Sequence, residues 1–295
     1  MTDLTALDRF WRFTARWLDR PVLTALPSQR LLRGLFALSA RMGSALPPGA
    51  TLARDTRGWL WITPQGVAPD APLLMYLHGG GFTIGSPRTH AALAAHLAAH
   101  ARLRVVLPRY RLAPEHPAPA ARQDAIAAYQ RLVEAGTPPA ALAGDSAGGN
   151  LALLLAQHAR DTGLPLPRAM ALIAPAADLG GDIAARFAAA PGEILIPPAW
   201  ARRIRRAYLP GVDPTDPTIS PLSGDLSGLP PTLLHAGAEE ALADEAHRLA
   251  AAMDDAQLSL WPGLPHVWHL HAGRAPAADR ALADLGAFLA ARIRP

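Results

Sequence analysis

Gly144-Asp145-Ser146-Ala147-Gly148-Gly149 decides how this 295-residue chain is read, because it stands between the apolar run Ala140-Ala141-Leu142-Ala143 and an Ala/Leu-rich stretch that begins at Ala147. The order is strand, tight turn, helix. A serine on such a turn is held in a strained backbone with its hydroxyl exposed, and only small neighbours let the chain pass so closely. Ala- and Gly-rich sequences throw up G-x-S-x-G by chance, so an ordinary Gly-rich turn is the competing reading. The flanking strand and helix patterns weigh against it.

Upstream, His78-Gly79-Gly80-Gly81-Phe82 follows directly on the apolar Leu73-Leu74-Met75-Tyr76-Leu77. Three glycines end a strand with no side chain in the way. They expose backbone N–H groups toward a neighbouring strand end, the arrangement that holds an oxyanion as a tetrahedral intermediate forms. A phosphate-cradling loop would need G-x-x-x-x-G-K-[ST] or G-x-G-x-x-G after a strand, and neither pattern follows here.

From Trp59 onward, short apolar runs at 59–63, 73–78, 103–107, 140–143, 169–174, 231–236 and 258–261 alternate with helical stretches near 90–101, 120–135, 147–160, 242–253 and 277–292. Such alternation predicts an α/β fold, a mostly parallel sheet covered by helices on both faces. Two regions stand apart. Residues 4–20 carry Leu7, Phe10, Trp11, Phe13, Trp17 and Leu18 at helical spacing, and a second helix follows Ser28 with Leu31, Leu32, Leu35, Phe36 and Leu38 on its apolar side, ending before Pro47-Pro48. Residues 175–230 hold no strand pattern but one helical run near 198–208, where Trp200, Ile204 and Tyr208 lie four apart. That stripe is expected to face inward and Arg202, Arg203, Arg205 and Arg206 to face water. No internal repeat or compositional break marks a second independent domain.

Composition narrows the classes. With 50% apolar and 18% charged residues the chain can bury a large core, which excludes intrinsic disorder. The absence of cysteine excludes a disulfide framework, a thiolate metal site and a cysteine nucleophile, and fits a reducing, cytoplasmic setting. All 28 basic residues are arginines, yet they are dispersed among Asp and Glu for a net charge of +4, so no nucleic-acid partner is expected. Asp3, Asp8, Arg9, Arg12 and Arg16 interrupt any signal-peptide core, and the apolar runs are too short to span a membrane. No stable membrane insertion is expected.

Taken together the motifs resemble those of the hormone-sensitive-lipase family of α/β-hydrolases, the bacterial family IV carboxylesterases. Residues 78–82 are similar to the family's HGGG[FW] and residues 144–150 to its GDSAGGN. Tyr110-Arg111-Leu112-Ala113-Pro114-Glu115-His116-Pro117, Asp216-Pro217-Thr218-Ile219-Ser220-Pro221-Leu222 and Trp261-Pro262-Gly263-Leu264-Pro265-His266 follow in the family's order, from about 70 to 270. The resemblance implies an α/β-hydrolase fold whose core spans 49–179 and 213–295, under a helical cap made of the N-terminal helices (1–48) and an insert after the sixth strand (180–212). It implies a serine carboxylesterase of short- to medium-chain acyl esters that needs no metal or cofactor. Relatives often dimerise through an edge strand or helix, so the resemblance allows a homodimer.

The same resemblance implies Ser146 as nucleophile and the N–H groups of Gly80, Gly81 and Ala147 as oxyanion donors. A serine hydroxyl is a weak nucleophile until a base takes its proton, so a histidine must lie downstream in this chain order. His266 stands at the family's position, with His269 and His271 as alternatives. For the acid, register favours Glu240 where most relatives have Asp; Asp244 is the runner-up, more naturally a first-turn helix residue, and Glu239 is expected to be solvated. Phe82, Trp200 and Tyr208 are candidate substrate contacts, with Trp11 and Trp17 as further lining candidates, although such aromatics can equally fill the cap-to-core interface.

Three departures bear on the carry-over. Pro108-Arg109 replaces an acid or amide before the Tyr-Arg-Leu-Ala-Pro-Glu run, the segment between Glu240 and His266 is a few residues short, and Ala176-Ala177-Asp178-Leu179 stands where relatives often carry tryptophan. Rival readings are an amide or acetyl hydrolase with the same triad, a catalytically silent ligand-binding member, and a lipase with an exposed apolar mouth.

Overall fold

The computed structural model describes residues 4–293 and joins the seven strand patterns, with one further strand, into a single eight-stranded sheet. The strands are β1 (Thr51–Arg54), β2 (Leu60–Thr63), β3 (Leu73–Leu77), β4 (Arg104–Leu107), β5 (Ala141–Asp145), β6 (Ala169–Ile173), β7 (Thr232–Gly237) and β8 (Ala256–Trp261). They lie in the order β1-β2-β4-β3-β5-β6-β7-β8. β1–β2 and β2–β4 pair antiparallel and every other pair is parallel. The unforeseen strand is β1, four exposed residues on the sheet edge with no burial alternation to betray it.

β3, β5 and β6 are buried at every residue, as parallel strands covered on both faces must be. Alternate side chains feed two cores. Leu74 and Tyr76 of β3 pack with helices α4 (Ala91–Ala101) and α10 (Pro276–Ile293) on one face. Leu73, Met75 and Leu77 pack with α5 (Ala120–Glu134), α6 (Ala147–Thr162) and α9 (Ala243–Ala252) on the other. The loops that follow β3, β5, β7 and β8 therefore emerge side by side at the carboxyl edge of the sheet, where open α/β sheets bind their ligands.

Over that edge lie the N-terminal helices, α1 (Ala6–Thr14), a π-helical turn (Ala15–Asp19), α2 (Arg20–Ala25) and α3 (Gln29–Gly43), together with α7 (Ile183–Ala189) and α8 (Pro198–Tyr208) from the stretch after β6. Thr5 and Asp8 close a capping box on α1, and Asp182 accepts the first free N–H groups of α7 at 3.0 and 3.1 Å. The helical pattern over 4–20 thus runs on to Ala25, past the π turn. No helix among the described residues is long and apolar enough to cross a membrane.

The four arginines of α8 do not all face water, which corrects the sequence expectation. Arg202 and Arg206 are exposed, but Arg203 donates to the carbonyls of Leu23, Thr24 and Leu26 at the end of α2, and Arg205 to that of Gly181. The last carbonyls of a helix have no intrahelical partner, and a guanidinium fork satisfies several at once. Arg20 answers from the other side, donating to the carbonyls of Glu193 and Ile196 at 3.0 and 3.1 Å.

Candidate active site

Ser146 sits between β5 and α6 at φ 50° and ψ −116°. A non-glycine residue in that region is strained by about 1–3 kcal/mol, which persists only when the surroundings enforce it. They do so through close backbone approach: a Cβ on Gly144 would stand 2.4 Å from the Gly148 carbonyl oxygen, and one on Gly148 would stand 2.0 Å from that of Leu77. Asp145 fastens this elbow to the neighbouring loop. Its Oδ1 accepts the Gly79 N–H at 3.0 Å and the Tyr76 hydroxyl at 2.8 Å, and its Oδ2 lies 3.3 Å from His90 Nε2. Burial works to raise the Asp145 pKa, but His90, Tyr76 and His78 together hold it below the usual value. It stays ionised.

The glycine loop after β3 takes conformations that L side chains avoid, with φ 113° at Gly80 and 58° at Gly81. Among the described residues neither the Gly80 nor the Gly81 N–H donates a hydrogen bond. The Ala147 N–H, first in α6, lies at the positive end of the helix dipole. All three residues border the same cavity as Ser146. His78 anchors the loop: its ring stacks on Tyr110 at 4.2 Å, its Nδ1 lies 2.8 Å from the Gly79 carbonyl, and Tyr110 donates to its backbone carbonyl at 2.6 Å. Burial pushes its pKa down to about 3, so it is neutral.

His266, in the loop after β8, places Nδ1 2.5 Å from Glu240 Oε2. Glu240 Oε1 accepts the Gly237 N–H at 2.7 Å, and both side chains are buried. The loops after β7 and β8 thus bring the two side chains together. Burial opposes a charge on His266, but Glu240, first among the nearby carboxylates and joined by Glu193 and Asp145, raises the imidazole above its ordinary pKa. With Nδ1 engaged, Nε2 is the nitrogen left for a reacting group; among the described residues no hydrogen bond joins it to Ser146 Oγ.

The alternatives lie elsewhere. Asp244 is exposed in the first turn of α9, 3.9 Å from Arg248. Glu239 is exposed yet not merely solvated, since its Oε2 accepts the Gly263 N–H at 2.8 Å. His269 is buried 3.3 Å from His235, and its pKa falls well below normal through burial and that neighbour. His271 stacks on Trp11 at 4.2 Å and burial lowers it to about 4.

Three supporting residues escaped the sequence reading. Glu193 is buried and accepts the N–H groups of Leu195 and Ile196 at 2.8 Å and of Ala241 at 3.2 Å, bracing the residue next to Glu240. Glu245, paired with Arg186, holds the N–H groups of Ala177 and Asp178 at 2.6 and 2.9 Å. Burial pushes its pKa up to about 7 against the pull of Arg186. Arg33 of α3 pairs with Glu115 at 2.7 Å and donates to the Thr83 and Ala113 carbonyls at 2.8 Å, tying the N-terminal helices to the loops after β3 and β4. Neither a lone acid between α7 and α8, nor a first-turn acid of α9, nor one arginine among several on α3 carries a spacing signal. Among the described residues no three His, Cys, Asp or Glu side chains converge as metal ligands.

Ser146 and His266 open into a cavity of about 560 Å³ whose far walls are the apolar faces of α1–α3, α7 and α8. Trp11, Phe82 and Trp200 border it, as does Asp19, whose half-buried carboxyl is raised by desolvation. Tyr208 does not, and neither does Trp17, which is exposed. Trp200 and Ile204 face the cavity, but one turn further along α8 the stripe enters the core, where Tyr208 stacks on the back of Phe82 with centroids 3.8 Å apart and planes 3° from parallel.

An eight-stranded sheet in this order, with a serine elbow after its fifth strand, is the architecture of an α/β-hydrolase, and the family model described as alpha/beta hydrolase fold matches residues 74–270. An acetyl-hydrolase of Streptomyces hygroscopicus is 42% identical over 252 residues, 83% of each chain. The carboxylesterase NlhH of Mycobacterium tuberculosis is 36% identical, covering 74% of this chain and 73% of its own. The crystal structure of an esterase from the bacterial hormone-sensitive lipase family matches the whole of both chains with a TM-score of 0.89 at 33% identity. The chain belongs to the hormone-sensitive-lipase-like family of α/β-hydrolases.

Proposed function

We propose that this hydrolase is a serine carboxylesterase acting on short- to medium-chain acyl esters through an acyl-enzyme. One observation carries the reading: a serine held on a strained elbow shares a cavity with a histidine whose far nitrogen is fixed 2.5 Å from a buried carboxylate. Ser146 Oγ attacks the ester carbonyl carbon as its proton passes to His266 Nε2. The N–H groups of Gly80, Gly81 and Ala147 receive the oxyanion, each donor worth about 10²–10³ in rate. The intermediate then expels the alcohol, which takes its proton from His266. Water, deprotonated by the same nitrogen, attacks the acyl carbon and releases the acid with Ser146 reprotonated. Glu240 orients the imidazole and stabilises its charged form.

In this reading residues 1–48 and 180–212 cap a core of 49–179 and 213–295; Met1 to Asp3 and the last two residues lie outside the described chain. Phe82 and Trp200 are the substrate contacts. A walled apolar cavity limits acyl length, and the name of the Streptomyces relative supports a range that reaches down to acetyl. In a p-nitrophenyl ester series from acetate to palmitate, turnover is expected to peak among the short and medium chains and fall at palmitate, and a fluorophosphonate probe is expected to label Ser146. A folded chain that neither cleaves the series nor takes the probe is a ligand-binding member instead.

The acid is tested separately. Glu240→Ala is expected to lower kcat by about 10³–10⁴, as loss of the orienting carboxylate does in such triads, while Asp244→Ala stays within about twofold, because an exposed first-turn acid contributes only a fraction of a kcal/mol of helix stability. Only neutral His266 accepts a proton, so activity falls as pH drops through its raised pKa. Removing Glu240 removes the charge that raises it, and the acid limb of residual activity is expected to move to lower pH. A limb that shifts upward, or Asp244→Ala as the costlier substitution, rules out Glu240.

A further inference from the structure

Exposed apolar surface on this chain is concentrated in one place. Of the thirteen exposed large apolar side chains among the described residues, eleven fall between residues 7 and 46. On α1 and the π turn they are Leu7, Phe10, Phe13, Trp17 and Leu18, at three- and four-residue spacing with each about half exposed or more. On α3 they are Leu31, Leu35, Leu38 and Met42, again one stripe, with Met42 64% exposed. A helix whose apolar stripe faces outward has its partner missing.

The two stripes converge on the active-site cavity. Phe10, Leu18, Val22, Leu35, Leu38 and Met42 are exposed and also border the cavity that contains Ser146, so they form the collar of its mouth. Beside this collar the charge is one-sided. Residues 4–46 contain seven arginines and two aspartates, of which Asp8 is buried and Asp19 half-buried in the cavity wall. Arg9, Arg12, Arg16, Arg30 and Arg41 are exposed, and of these Arg30 lies 3.9 Å from Glu115, which also pairs with Arg33, leaving Arg9, Arg12, Arg16 and Arg41 as the basic groups of the rim. Arg41 also joins Arg54 and Arg88 in a second groove, whose apolar side is Leu38 and Leu46.

We propose that this cap face docks on an anionic lipid surface, presenting the cavity mouth to esters dissolved in it. Amphipathic helices with aromatic and aliphatic groups on one side and arginines on the other lie in the plane of such interfaces, held by buried apolar area and by attraction to acidic headgroups. The charge argues against a second copy of this chain as the occupant: stacking two such faces would bring two rims of arginine together and close both cavity mouths. A lipid surface covers the same apolar collar with opposite charge and leaves the cavity a source of substrate.

The experiment is co-sedimentation of the full chain with phosphatidylglycerol–phosphatidylcholine vesicles and with pure phosphatidylcholine vesicles. It is read without turnover, so its failure is separate from that of the esterase reading. The wild type is expected to partition onto the acidic vesicles, less so as salt screens the arginines. Phe13→Glu/Trp17→Glu, two positions outside the cavity wall, is expected to reduce partition about tenfold or more while hydrolysis of a dissolved short ester stays within about twofold. Three results overturn the proposal: no partition by the wild type, equal partition on both vesicle types, or a wild-type dimer in solution that the double substitution dissociates, which would make a second copy the occupant.

Discussion

Ser146→Ala and His266→Ala are each expected to lower kcat toward p-nitrophenyl butyrate by about 10⁵–10⁶, and the double variant by no more than either alone. The reason is that the two side chains do one thing. A serine without its base leaves the attacking hydroxyl protonated, and a base without its serine has no proton to take. What remains is the oxyanion loop and the rest of the cavity wall, which neither substitution touches, so some catalysis over water should survive in all three variants. Steady-state kinetics on the four proteins, with fluorophosphonate labelling as a second readout, test this directly. Additive losses would mean that Ser146 and His266 act on separate steps, and the proposed proton transfer between them would be wrong.

Much of this site was legible in the sequence because its chemistry is local. Residues 144–149 and 78–82 each place the atoms that matter within a few residues, and the glycines mark where backbone passes backbone, as the 2.0 Å clearance at Gly148 shows. His266 and Glu240 were legible through the resemblance, which singled them out from His269, His271 and Asp244, and both follow strands of a parallel sheet that delivers such loops to one edge. The parts that were missed depend on long-range satisfaction of polar groups. Glu193 meets Ala241 across 48 residues and Glu245 meets Ala177 across 68, and no periodicity announces either. Arg203 was read from its helix face alone, whereas its partners are carbonyls at the far end of another helix. Tyr208 shows the limit of a helical stripe: spacing predicts that Trp200, Ile204 and Tyr208 share a face, but not where along that face the cavity gives way to core.

Gly148→Ala is expected to destabilise the fold by about 3 kcal/mol or more, although it adds one methyl group to a helix where alanine is ordinarily favoured. An ideal Cβ there stands 2.0 Å from the Leu77 carbonyl oxygen and 2.6 Å from that of His78. These are backbone atoms of a strand end that hydrogen bonds hold in the sheet, so the clash cannot be relieved by turning a side chain. Relief requires the start of α6 to move away from β3, and that movement separates Ser146 and the Ala147 N–H from the glycine loop. Stability and activity should therefore fall together. Gly34→Ala supplies the contrast: Gly34 is exposed in the middle of α3, and a Cβ there meets nothing within 4 Å. By helix propensity alone it is expected to stabilise the fold by about 0.5–1 kcal/mol. Urea midpoints for the two variants, with ester turnover measured in parallel, separate the readings: a Gly148→Ala protein as stable and active as the wild type would show that the elbow is not held by this backbone contact, and the strain assigned to Ser146 would need another source.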